Sequence, residues 1–262
     1  MHLLNKLIIN SSAYQHIYLL RYIFFKSLMS TALRIDLNER LYLRDPQDTD
    51  LGRRLVAESI KLIDEIGFEQ FTFKKLALRI ESTEASLYRY FENKHRLLVY
   101  IVSWYWAWLS FQIRFHTHNV PDARERLRLI LRILTRAHHD DPATTQVDEA
   151  ALYRIVVNEA SKAYLTKEVD EDNQAGLVRE YKGLVAGIGD VVSEIKPDYL
   201  YPHALVSTLL EAARKQSFFA LHLPALTDVP AHEGTIDDTV YSFLEGLAFG
   251  VLDGVGSSPF PP

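Results

Sequence analysis

The sequence predicts an all-α protein in two parts, a small three-helix N-terminal unit and a larger helical body. Three observations carry this. Apolar residues recur at spacings of three and four from Leu51 to the end, and no run of alternating β-type residues competes with them. Pro121, Pro142, Pro197, Pro202, Pro224 and Pro230 then punctuate the helical pattern beyond residue 98.

The first helix is expected from about Leu51 to Ile66, capped by Asp50 or Thr49 and stopped by Gly67, with Leu55, Ser59, Leu62 and Ile66 on one stripe. In the second, Phe73, Leu76, Ala77 and Ile80 recur at i, i+3, i+4 and i+7, and Thr72 is placed to cap it. That face must be buried. After Glu81-Ser82, Thr83 can cap a third helix whose Leu87 and Phe91 point inward, leaving Glu84, Ala85, Ser86, Tyr88 and Arg89 outward. This is the spacing of a helix-turn-helix. Short hydrogen-bonding side chains on an exposed helix can reach base edges in a major groove, where bulky apolar ones would hold the helix away. Asn93 caps the next helix, and Lys94 at its start carries a charge suited to a phosphate.

Ile66-Gly67-Phe68, Thr72, Leu76-Ala77, Thr83, Leu87-Tyr88, Phe91, Lys94 and Leu97-Leu98 together resemble the TetR family of bacterial one-component repressors over roughly residues 51 to 98. The resemblance implies a homodimer whose N-terminal helices bind a palindromic double-stranded DNA operator and whose helical C-terminal domain senses a small molecule. It implies the DNA-facing set Thr72, Lys75, Thr83, Glu84, Ala85, Ser86, Tyr88, Arg89 and Lys94, with Tyr88 and Lys94 mainly on phosphate. Two departures stand out: Glu81 occupies a turn position where the family usually has Gly, and Ser82 replaces an apolar residue. A left-handed non-Gly residue costs about 1 kcal/mol, which the fold can bear. Glu84 either accepts a hydrogen bond from a cytosine amino group or only favours the helix dipole.

Composition bounds the rest. Hydrophobic residues at 48% and charged residues at 24% are ordinary for a globular chain, and 262 residues suffice for a substantial core. The net charge of -5 argues against a general nucleic-acid binder. Its distribution says more: nine Lys or Arg stand against seven Asp or Glu in 51–98, a local +2, so the remainder carries -7. There is no cysteine, which is compatible with a reducing cytoplasm.

Residues 1–50 form an N-terminal extension. Its apolar stretch Ile17 to Leu28 is too short to span a bilayer, is broken by Arg21 and Lys26, and lacks a signal-peptide cleavage site. Either translation begins at Met29 or the segment is an amphipathic arm that packs on the body. Residues 99–255 are read as the effector-binding and dimerisation domain and 256–262 as a flexible tail. Helices are expected near 94–117, 122–139, 143–165, 170–195, 202–222 and 235–253.

Within the first of these, Trp104, Tyr105, Trp106, Trp108, Phe111 and Phe115 form the densest aromatic cluster in the chain. Plain core packing accounts for them, or Trp104, Trp108, Phe111 and Phe115 wall a pocket for an apolar or aromatic effector. In the last two helices Leu209, Gly246 and Gly250 are the candidate dimer contacts, since Gly246, Gly250 and Gly254 strip side chains from one face. His116, His118, His138 and His139, with Asp140 and Asp141, lack the i, i+4 spacing of a shared metal, so no metal site and no cofactor are expected. No phosphate loop, Gly-x-Ser-x-Gly elbow or His-Glu-x-x-His is present, and the chain is not read as an enzyme. The leading reading is a DNA-binding regulator released by an effector. A helical ligand- or protein-binding module whose helix-turn-helix has lost DNA binding is the alternative.

Overall fold

The computed structural model describes residues 34–137, 147–167, 169–232 and 235–254, which are helical throughout and contain no strand. The described helices are α1 (Asp50–Gln70), α2 (Phe73–Arg79), α3 (Glu84–Tyr88), α4 (Lys94–Thr117), α5 (Ala123–Arg136), α6 (Glu149–Tyr164), α7 (Val169–Gln174), α8 (Arg179–Ile195), α9 (Pro202–His222) and α10 (Ile236–Asp253). Their N-termini follow the capping chemistry of the sequence. Thr49, Thr72, Thr83, Asn93, Asp122 and Asp148 each accept a backbone N–H from the first turn of the helix they precede.

Gly67 sits at φ 75°, a conformation that costs glycine nothing, and it breaks α1 before a last short turn to Gln70. Gly176, also at φ 75°, divides the helix expected at 170–195 into α7 and α8. The N–H of Leu177 donates to the Asp172 carbonyl and that of Gly176 to Asn173, the paired bonds of a glycine-terminated helix. The helices at 94–117 and 202–222 lie where their periodicity placed them. The expected histidine and aspartate cluster at 138–141, and residues 1–33 and 255–262, fall outside the described residues.

The body is organised around α4. From Leu97 to Trp106 every residue of this helix is buried, because α6 and α8 pack against it along its length, α5 joins them, and the first part also closes the core of the N-terminal unit. α9 and α10 pair with each other and lie against α8 and α5 respectively. One continuous core results, running from Leu55 and Phe91 at one end to Leu210 and Leu244 at the other.

Residues 34–49 belong to that core. They form a strap in which Ile35, Leu37 and Leu41 are buried and the turn Pro46–Asp48 presses on α1. The strap holds both units. Leu43 N–H donates to the Tyr90 carbonyl at 2.8 Å, Thr49 Oγ1 and the Tyr90 hydroxyl share a bond of 2.7 Å, and Asn38 Nδ2 donates to the Ala175 carbonyl at 3.0 Å. At Gly52 the approach is so close that a Cβ would stand 2.3 Å from the Pro46 carbonyl oxygen. Gly52→Ala is therefore expected to destabilise the chain by about 1–3 kcal/mol, the cost of overpacking, read as a lowered urea midpoint. An unchanged midpoint contradicts the close approach.

Candidate nucleic-acid interface and effector cavity

Leu76 and Leu87, both fully buried, fix α2 and α3 against α1 and α4 and so decide which way their other faces look. Thr72, Lys75, Thr83, Glu84, Ala85, Tyr88 and Arg89 are exposed, and Ser86 is partly so. The outward face of α3 is open in the protomer. Tyr88 is not loose: its ring lies edge-on to Phe73 at 4.9 Å, which fixes the direction of its hydroxyl. Thr83 Oγ1 accepts the Ser86 N–H and lies 2.9 Å from Ser86 Oγ, so these two hydroxyls orient each other. Glu81 holds φ 52° between α2 and α3, the left-handed conformation for which glycine is better suited.

Three basic residues have internal duties that spacing alone does not reveal. Lys94 Nζ donates to the carbonyls of Phe68, Glu69 and Phe71 at 3.1–3.4 Å and lies over the Phe68 ring, so it caps the end of α1. Its rigid position beside the α4 start is thus built from α1. Lys75 Nζ donates to the Gln70 carbonyl at 2.9 Å. Arg79 is clamped between Glu58 and Glu65, its guanidinium 2.8 Å from the first and 2.6–2.8 Å from the second. The cations that form no ion pair among the described residues, Lys74 and Arg89, flank the exposed face of α3; Lys74 is the member of this surface that the sequence reading passed over.

Residues 55–101 match the sequence pattern of the bacterial regulatory proteins of the tetR family. The helix-turn-helix unit is a TetR-family domain. The described fold as a whole is similar to solved structures of helical regulators. AibR in complex with isovaleryl coenzyme A and operator DNA has a TM-score of 0.52 at 17% identity, over 74% of this chain and 97% of that one. The fatty acid degradation regulator FadR from Bacillus halodurans has 0.52 at 15%, over 77% and 94%. A TetR-family transcriptional regulator from Pectobacterium atrosepticum has 0.52 at 17%, over 83% and 100%. No curated protein matches the chain in sequence.

The body of this TetR-like chain contains a cavity of about 540 Å³ between α4, α5 and α8, roofed by Arg34, Ile35 and Asp36 of the strap. Phe111 lines it, but Trp104, Trp108 and Phe115 do not, which corrects the aromatic pocket wall expected above. Trp104 and Trp108 are buried in the core and Phe115 is exposed, stacked on Phe111 at 6.1 Å. The cavity stripe of α4 is Ala107, Ser110, Phe111, Arg114 and Thr117. It is rotated about a quarter turn from the aromatic stripe. In the last two helices, Leu209 is 1% exposed and points into the protomer, so it has no surface to offer a second copy. Gly246 and Gly250 are exposed, and a Cβ on either would meet nothing within 4 Å. Among the described residues there is no group of three or more His, Cys, Asp or Glu that could hold a metal, and no helix is long and apolar enough to cross a membrane.

The clamp on Arg79 carries a pH dependence. Hydrogen bonds from Lys61 and Arg79 hold Glu58 below its ordinary value of 4.5, and a hydrogen bond from Arg79 does the same for Glu65. Because both carboxyls are depressed in the folded state, the clamp stabilises fully above pH 4.5 and its contribution is lost as pH falls through the lower folded values. Arg79→Ala is expected to be less stable than the parent near pH 7, with the difference vanishing by about pH 3 in urea titrations. A difference that stays constant with pH argues against the clamp.

Proposed function

We propose that this chain is a DNA-binding transcriptional regulator, a repressor that leaves a palindromic operator when a small molecule fills the body. The observation that carries this is the open face of α3: Leu87 is fully buried while Glu84, Ala85, Tyr88 and Arg89 stand clear of the protein. A rod presented in this way fits a major groove, with Arg89, Ser86 and the helix start over bases, and Thr72, Lys75, Tyr88 and Lys94 toward phosphate. AibR, of similar fold, has been captured with both operator DNA and isovaleryl coenzyme A. A regulator of this kind works in the cytoplasm, where its DNA is, and its chemistry is binding rather than catalysis.

Residues 51–98 act as the DNA-reading domain and 99–255 as the sensing and dimerising one. The two are joined mechanically, since α4 starts at the Asn93 cap beside the reader and ends along the cavity wall. A ligand that prefers one separation of the two readers shifts the population toward it and so changes operator affinity. The dimer surface is placed on the outer faces of α9 and α10, where Phe243, Val251 and Leu221 are exposed around Gly246 and Gly250. Apolar area of this kind on a terminal helix pair suits a self-complementary contact.

An operator selection with the purified chain is expected to enrich a palindrome, bound less tightly as salt rises. Arg89→Ala should weaken that binding roughly tenfold or more and relax preference at one position of each half-site. A chain that enriches no sequence is instead the helical binding module that acidic Glu81 and Glu84 would suit. Gly250→Leu leaves the protomer intact because its Cβ enters open space, and it is expected to dissociate the dimer in sedimentation; an unchanged dimer moves the contact elsewhere.

A further inference from the structure

The cavity has a chemical signature more specific than its volume. Its floor is apolar, formed by Ile113, Ile130, Leu184, Ile188 and Val191, all buried. On α8, Gly183 and Gly187 stand one turn apart on the cavity side, and a Cβ at either would meet nothing within 4 Å. Two glycines inside one helix cost about 1 kcal/mol each relative to alanine, and here their effect is to keep space open. The strap supplies the roof. Ile35 is held over the cavity by a two-way clamp in which its N–H donates to Gln47 Oε1 at 3.1 Å and its carbonyl accepts from Gln47 Nε2 at 2.9 Å.

The polar groups of the wall are unequal. Arg34 is occupied by Asp45 and Asp48, each at 2.9 Å. Arg179 is occupied by Glu180 Oε1 through two of its nitrogens at 2.7 and 3.0 Å. The Glu180 side chain is only 6% exposed, yet its second oxygen, Oε2, has no hydrogen-bond partner. A buried carboxylate oxygen without a donor is costly, and the cavity it lines is where a donor can come from.

We propose that this cavity binds an apolar molecule bearing one amine or hydroxyl, with the chain along α8 beside Gly183 and Gly187, the polar head donating to Glu180 Oε2, and Ile35 of the strap closing over it. This rests on reading the cavity as the effector site and adds the class of ligand. An anionic head is disfavoured at that end, because it would face an acceptor that is itself negative. The Arg114 guanidinium stands at the exposed rim, away from the buried end.

Calorimetric titration of the full-length chain with decylamine, decan-1-ol and decanoate tests this. Decylamine and decanol are expected to bind, and decanoate at least tenfold more weakly. Glu180→Gln keeps an acceptor for Arg179 but can turn an amide N–H toward the cavity; it should cost decylamine roughly tenfold or more and bring decanoate level with it. Gly187→Leu, which fills the space without meeting a neighbouring atom, should abolish binding of all three. Ile35→Ala should weaken all three by a similar factor, since it thins the roof and leaves the head group alone. The proposal is overturned if no probe binds, if decanoate binds as well as decylamine to the parent chain, or if Glu180→Gln leaves the order unchanged. Operator affinity is read separately. Binding in the predicted order with no change in operator affinity sinks the effector reading and leaves the ligand class standing. Release of DNA by an anionic apolar compound, blocked by Gly187→Leu, does the reverse.

Discussion

Everything in this molecule depends on the all-round burial of the first half of α4. A helix with one apolar stripe can lean on one neighbour, but the run from Leu97 to Trp106 is covered on every side, so it needs the strap, the N-terminal helices, α6 and α8 at once. Tyr100 shows the sharing at one residue: its ring meets Tyr42 of the strap at 6.1 Å and Phe91 of the N-terminal unit at 5.2 Å. Moving the reader relative to the body therefore means repacking this helix or moving with it as a rigid piece. The second is cheaper, because close-packed cores resist partial deformation.

That constraint explains why the junction is polar at its edge and apolar inside. Asp172 on α7 accepts from Arg96 at 3.0 Å, while Ser103 donates to the Leu177 carbonyl from within the core. Around Gly176 the strap's Asn38 closes the same corner, near enough that a Cβ there would stand 2.9 Å from its amide nitrogen. Strap, α4 and the α7–α8 turn thus meet at one place, between the exposed face of α3 and the cavity.

Much of the reader was legible because its rules are local. Caps at Thr72, Thr83 and Asn93, the break at Gly67 and the inward Leu76 and Leu87 each follow from spacing a few residues long. The strained turn at Glu81 was legible for the same reason. What escaped depends on contacts distant in sequence. Nothing in Arg34–Thr49 announces a partner at Tyr90 or Ala175, more than forty and more than a hundred residues away. Lys94 reads as a free cation until the three carbonyls around it are seen. The cavity wall was missed because an aromatic stripe draws attention, whereas a void is made by what is small: Ala107, Ser110, Gly183 and Gly187. Leu209 looks like an interface residue in a Leu-rich helix, and only packing shows that it faces inward.

The contact of Pro46 with Gly52 limits how freely evolution or an engineer can trade parts. A chimaera that grafts the three reading helices onto another regulator, cut at residue 50, strips the lid from Gly52 and leaves the Tyr90 hydroxyl without its threonine. The transferable cassette starts at Arg34, and its strap must arrive with a body that offers the Ala175 carbonyl in the right place.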